Sequence, residues 1–280
     1  MLQWREVLFE GRKFGISRHM STHFRNAPVT EIGITFWIEP SAEQPNWYNL
    51  ADELHREFRE DYPHGEIFYE NNVEVTEKTN AGFPKKGKVS SYIRQTNFWS
   101  KTKDRLYFIG GDFFSSRGFR SEDSSNELRF AVVSEETNRI FSRYVSMWKP
   151  QQIKQFAISY VDDIRLPLES KPDLQINDYL KLGVTSPFSP ISFSDCEIRF
   201  SLPVSENFGG KMQVRFYRAP PEPERAEFRM MIHWDCLVEN VNSMDMAIIQ
   251  AGLEYGHQQC YDCFLACMTP KLGELFNPIS

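Results

Sequence analysis

Ile32, Ile34, Phe36 and Ile38 alternate with Glu31, Gly33, Thr35 and Trp37, and Pro40 closes the run. This period-two pattern predicts a strand buried on one face. The period then lengthens: Leu50, Leu54 and Phe58 recur at helical spacing behind Asn46, which offers an N-cap, until Tyr62-Pro63 stops the pattern. Strand-like stretches follow at Ile67 to Thr76, Ser90 to Trp99, Arg105 to Ile109, Leu128 to Val133 and Arg139 to Trp148. Gly82, Gly87, Gly110-Gly111 and Gly118 punctuate them.

A comparable order begins again near Lys149-Pro150. Phe156, Ile158, Tyr160 and Ile164 mark a strand ending at Leu166-Pro167, Pro172-Asp173 opens a short helix, and a linker runs from Thr185 to Pro190. Three alternating stretches then form a meander: Cys196 to Leu202, Met212 to Phe216 and Phe228 to Cys236. The last periodic segment, Asp245 to Met268, is a helix with Pro270 as its stop. The pattern predicts an α+β fold of two similar sub-domains, each a strand, a helix and an antiparallel sheet, with a long C-terminal helix. The expected divisions are an N-terminal extension over 1–26, a first sub-domain over 27–149 and a second over 150–280.

Composition narrows the class. The chain has 280 residues, 38 acidic against 32 basic side chains and 41% apolar content, an ordinary globular balance apart from 23 Phe. No window approaches a membrane span, and Arg5, Glu6, Glu10, Arg12 and Lys13 interrupt any secretory leader, so a cytoplasmic protein is expected. Five Cys in so long a chain do not make a secreted disulfide framework.

The opener Asn26-Ala27-Pro28-Val29-Thr30-Glu31, with Leu50, Leu54, Phe58 and Tyr62-Pro63 behind it, resembles the start of a sporadically distributed family of uncharacterised bacterial proteins. The helix with His257 and Phe264 before Met268-Thr269-Pro270 resembles that family's closing segment, and Ile158 to Pro167 its central strand. Where the family usually carries Arg-Tyr followed by Asn, this chain has Ser159-Tyr160 followed by Asp162-Asp163, so no role of that Arg or Asn carries over. The resemblance implies fold and length, and a patchy occurrence of the kind seen for accessory and antiviral defence genes. It implies no activity.

Candidate chemistry is sparse. His257, Cys260, Cys263 and Cys267 have the ligand types that soft metals prefer. On a helix, however, Cys260 and Cys267 lie about 10.5 Å apart along the axis at ~1.5 Å per residue, too far to share one ion. Packing is the preferred reading, and no metal or cofactor is expected. His233 and Asp235 share one face of a strand and, with Tyr160 or Arg165, form the alternative site of an enzyme or small-ligand protein, in a cleft between sub-domains. His19 and His23 lack the intervening Glu of a zinc-protease helix. Asp162-Asp163 with Glu169 and Asp173 reads as a solubility feature rather than a cation site.

Charge is distributed unevenly. The segment Phe83 to Arg105 carries Lys85, Lys86, Lys88, Arg94, Lys101, Lys103 and Arg105 against Asp104 alone, a net +6 interleaved with Phe83, Tyr92, Phe98 and Trp99. Asp52 to Glu77 is net −7. The two segments are expected to face one another within the fold or across a homo-oligomer. Nucleic-acid binding through 83–105 is the less favoured alternative, because an acidic chain repels phosphate. These patterns favour a non-catalytic binding or recognition component of a multi-protein bacterial system, with a protein partner engaged by Trp99 and the basic residues around it, and with Trp37 as a further contact.

Overall fold

The computed structural model describes residues 27–40, 47–78, 84–120, 128–167, 179–181, 195–202, 208–218 and 227–276. Among these residues nine strands run β1 (Val29–Glu39), β2 (His64–Lys78), β3 (Pro84–Trp99), β4 (Arg105–Gly110), β5 (Phe113–Phe119), β6 (Gln152–Pro167), β7 (Asp195–Leu202), β8 (Gly209–Arg218) and β9 (Glu227–Glu239). The helices are α1 (Trp47–Phe58), α2 (Phe130–Trp148), α3 (Met246–Cys267) and α4 (Pro270–Leu275). The fold is mixed α+β. All nine strands join one antiparallel sheet in the order β2-β3-β4-β5-β1-β6-β9-β8-β7. Strands before residue 150 fill one half and strands after it the other, and the β1–β6 pairing makes the sheet continuous.

Strand alternation sorts the side chains onto two faces. Opposite one another across the β1–β6 pair stand Ile32 and Tyr160, Ile34 and Ile158, and Phe36 and Phe156, all buried. Among the described residues helices pack on this face alone. Leu50, Leu54 and Phe58 of α1 enter the core. Phe141 of α2 stacks on Phe36 with ring centroids 4.1 Å apart, and Phe264 of α3 meets Trp234 edge-on at 6.0 Å. One apolar cluster therefore runs beneath all three long helices.

Helix α3 approaches the sheet closely because two glycines face it. A Cβ at Gly252 would lie 2.5 Å from Phe156 Cζ, and one at Gly256 would lie 2.7 Å from Ile158 Cδ1. Asp245 caps the helix, its carboxylate accepting from the Ala247 N–H at 2.8 Å.

Three local readings of the sequence change. Leu128 to Val133 and Arg139 to Trp148 do not form strands; α2 covers most of both. Its buried positions Val133, Thr137, Ile140, Phe141, Tyr144 and Trp148 have helical spacing, but β-branched and aromatic residues gave the segment a strand-like composition. Strand β5 was hidden because Ser115, Ser116 and Gly118 occupy buried positions where apolar residues would mark alternation. Pro270 begins a helix rather than merely ending one, since it stands at the first turn of α4 behind the Thr269 cap. The helix expected at Pro172 and the linker at 185–190 lie outside the described residues.

Gly256→Val should lower stability by about 1–3 kcal/mol through overpacking. Urea denaturation would show this as a reduced midpoint, and an unchanged midpoint would refute the close approach of α3.

Candidate functional site

The helix-free face of the sheet carries the residues β1, β5, β6, β8 and β9 turn away from the core. At its centre Gly33 lies between Ser159 and Arg117, and Arg117 pairs with Glu31. Ser159 Oγ donates to Asp235 Oδ1 at 2.7 Å, and Arg215 reaches Asp235 Oδ2 at 3.0 Å. The neighbouring His233 Nε2 lies 2.8 Å from the Tyr217 hydroxyl. Along the same face Asp163, only 8% exposed, accepts from Arg229 at 2.8 Å and from Arg165 at 3.3 Å. Cross-strand neighbours thus join the charges into a row. Burial and the Arg215 charge lower the His233 pKa, keeping its imidazole neutral at ordinary pH.

The structure splits the alternative cleft group. His233, Asp235 and Arg165 share the helix-free face, whereas Tyr160 turns the other way and its hydroxyl meets His257 Nδ1 beneath α3. The cause is parity: Tyr160 stands opposite Trp234, between the partners of His233 and Asp235. Burial raises the phenol pKa and lowers that of His257, so the phenol donates and the imidazole accepts. Phe130 stacks on the His257 ring at 4.2 Å. Sequence spacing did not reveal this pair, which is 97 residues apart and depends on how α3 is placed.

Parity also divides the neighbouring aspartates. Asp163 joins the arginines, while Asp162 is wholly buried on the core side and accepts from the Trp234 indole N–H at 2.7 Å. Burial pushes its carboxyl up to about 7, partly offset by that bond and by Arg120. Glu169 and Asp173 lie outside the described residues.

The cysteines face the core to different extents. Cys260 is buried, with its Sγ 3.9 Å from the Ile158 carbonyl, whereas Cys263 and Cys267 are partly buried against the same cluster. Burial holds all three as thiols, raising Cys263 to about 12 and Cys267 to about 11. Among the described residues no group of three His, Cys, Asp or Glu side chains is placed to hold a metal, and no helix is long and apolar enough to cross a membrane.

The basic segment does not make one surface. Lys85, Lys86 and Lys88 lie toward one end of β3 and Lys101 beyond the other, with Lys88 and Lys101 roughly 40 Å apart at about 3.3 Å per residue. Lys101 and Lys103 are exposed in the β3–β4 turn. Arg105 belongs to the helix side, beside Glu136 of α2 at 3.9 Å. Trp99 turns to the other face, against Phe119 at 5.6 Å, and donates to Glu66 at 3.0 Å. Trp37 is half-buried on that same helix-free face, opposite Phe113. The acidic and basic segments are adjacent strands of one chain: Glu74 stands opposite Lys88, Glu77 opposite Lys86, and Arg94 lies 3.8 Å from Glu70.

A second feature lies at the sheet's outer edge, where β3 pairs with β4 only through Gln95–Trp99. Its remaining residues pair with β2 alone, so the β2–β3 hairpin projects as a two-stranded arm. Where the arm leaves the sheet, the consecutive residues Ile67, Phe68 and Tyr69 are 52%, 45% and 62% exposed. Helix α1 leaves them exposed, its His55 packing on Gly65 and Phe98 with Nε2 2.9 Å from the Tyr62 carbonyl. Sequence reasoning placed a strand here but could not see that the helical layer ends before it.

Neither a scan against protein-family models nor a search of curated proteins finds a match to this chain.

Asp162 supplies a pH prediction. Its folded pKa lies above the unfolded carboxylate value near ~3.9, so its contribution to stability is full below that pH and is lost as pH rises through about 7. His233 and His257, with lowered pKa values, act in the opposite direction. The difference between the wild type and Asp162→Asn should therefore isolate the carboxyl: the wild type loses stability relative to the variant from pH 5 to 8. Parallel curves would refute this. Iodoacetamide at neutral pH should also leave Cys260 unmodified until denaturant is added, as read by peptide mass spectrometry.

Proposed function

We propose that the chain is a non-catalytic binding component of a multi-protein assembly, using the outer part of its sheet as a contact surface. The observation that carries this reading is the run Ile67-Phe68-Tyr69, three adjacent large apolar side chains left exposed on an outermost strand. Isolated exposed apolar residues are ordinary, but Ile67 and Tyr69 share one face beside the edge and Phe68 stands on the other, so both faces of this strand offer apolar surface of the kind that partners cover.

The groups proposed for chemistry also favour this reading. His233 and Asp235 are engaged by Tyr217, Ser159 and Arg215 within the sheet, and these contacts account for them as face-stabilising pairs. Nucleic-acid binding through 83–105 loses support because acidic β2 lies beside basic β3 and offsets its field. Membership of a bacterial defence system rests on the sequence resemblance alone and belongs to the proposal on that footing.

Expressed from its own locus with an affinity tag, the protein should be recovered in a fixed-ratio complex with another polypeptide, as read by native mass spectrometry. His233→Ala with Asp235→Ala should still complement deletion of the gene, with near-normal activity if the melting temperature is retained. A bare monomer, or loss of complementation with unchanged melting, would overturn the reading.

A further inference from the structure

We infer that the outer edge of β2 accepts a basic, amphipathic β-strand from a partner protein, extending the sheet by one strand. This identification of the partner's chemistry rests on the binding reading above. Among the described residues β2 is the terminal strand of the sheet, and its side away from β3 has no strand paired to it. An edge of this kind offers backbone donors and acceptors in register, the main source of affinity in strand addition.

The side chains specify what can be added. Alternation places Glu66, Phe68 and Glu70 on the helix-free side and the exposed Ile67 and Tyr69 on the helix side, β3 absorbing the register shift at Phe68/Tyr69 with its extra residue Arg94. An incoming strand therefore meets an acidic face with one aromatic ring and an apolar face with two large side chains. Lysine or arginine at alternate positions would meet the first, and valine, isoleucine or tyrosine between them the second. Existing partners leave room for added cations: Glu66 accepts from the neutral Trp99 indole, and Arg94 reaches Glu70 only at 3.8 Å with both side chains well exposed.

Charge also argues against a second copy as occupant. Strand β2 carries Glu66, Glu70, Glu74 and Glu77 against Lys78, so pairing with its own copy would bring two acidic strands together. The opposite edge, β7, carries Asp195 and Glu197 against Arg199 and is acidic too. Phosphate-bearing polymers meet the same repulsion at this edge. A strand of opposite sign meets Glu66 and Glu70, away from Lys86 and Lys88 of β3, which stand opposite Glu77 and Glu74.

The test uses the full-length protein and three capped nine-residue fluorescent peptides: alternating Lys and Val, alternating Glu and Val, and the Lys/Val peptide N-methylated at every second amide. Anisotropy at low salt should show the Lys/Val peptide binding at least tenfold more tightly than either control, because one control reverses the charge and the other blocks the ladder. Glu66→Lys with Glu70→Lys should reverse the preference toward Glu/Val. Tyr69→Thr, which changes no charge, should weaken Lys/Val binding severalfold, and it provides the readout if the double variant fails to fold. Equal binding of the N-methylated peptide would reduce the effect to charge attraction and overturn the inference. So would equal binding of Glu/Val, or a concentration-dependent homodimer dissociated by Tyr69→Lys. Recovery of the wild type in a fixed-ratio complex while the peptides fail would remove this edge and leave the binding reading standing.

Discussion

The pairing of β1 with β6 is the constraint on which the rest of the molecule depends. It joins strands more than a hundred residues apart at the centre of the sheet and fixes which side chains face the helices. A slip of one residue on either strand would turn Ile32, Ile34 and Phe36, or Phe156, Ile158 and Tyr160, out of the core. Helices α2 and α3 read this surface directly, α2 through Phe141 on Phe36 and α3 through the Gly252 and Gly256 contacts with Phe156 and Ile158.

The same parity distributes the chemistry. On one side, burial keeps Tyr160, His257 and Cys260 neutral at ordinary pH and raises the Asp162 carboxyl to about 7, each tied to a neighbour in the core. On the other, carboxylates and guanidinium groups pair across strands, from Arg117–Glu31 to Asp235–Arg215 and Asp163–Arg229. Residues adjacent in sequence, such as Asp162 and Asp163, consequently live in unlike environments. Partly buried ion pairs of this kind add little net stability, because desolvation offsets their attraction.

Alternation at Ile32 to Ile38 and at Phe228 to Cys236, and the helical spacing around Leu50 and Leu253, made strands, helices and the α+β class legible from the chain alone. Two elements escaped for physical reasons. Aromatic and β-branched residues disguised α2, and small polar residues packed in the core disguised β5. The candidate site was less legible. Spacing placed His233 and Asp235 on one face, but it could not remove Tyr160 from their company, because that depends on the β6–β9 register. Charge complementarity did point to basic 83–105 facing acidic 52–77, and the β2–β3 pairing places part of the two side by side within one chain; that Ile67 to Tyr69 stay exposed beside α1 was not legible, since it follows from long-range placement.

The sheet thus has a protected centre and a projecting arm, and a two-stranded arm without a helical layer is marginally stable by itself. Its ordering and the coverage of Ile67, Phe68 and Tyr69 would be met together by an added strand. Amide hydrogen exchange of the isolated chain and of the chain within its native complex tests this most directly. The account predicts that β1 and β6 amides exchange slowest in both samples, while β2 amides from Glu66 to Glu70 exchange fast in the isolated chain and become protected in the complex. Protection of β2 in the isolated monomer equal to that of β1, or fast exchange there in the complex, would contradict it.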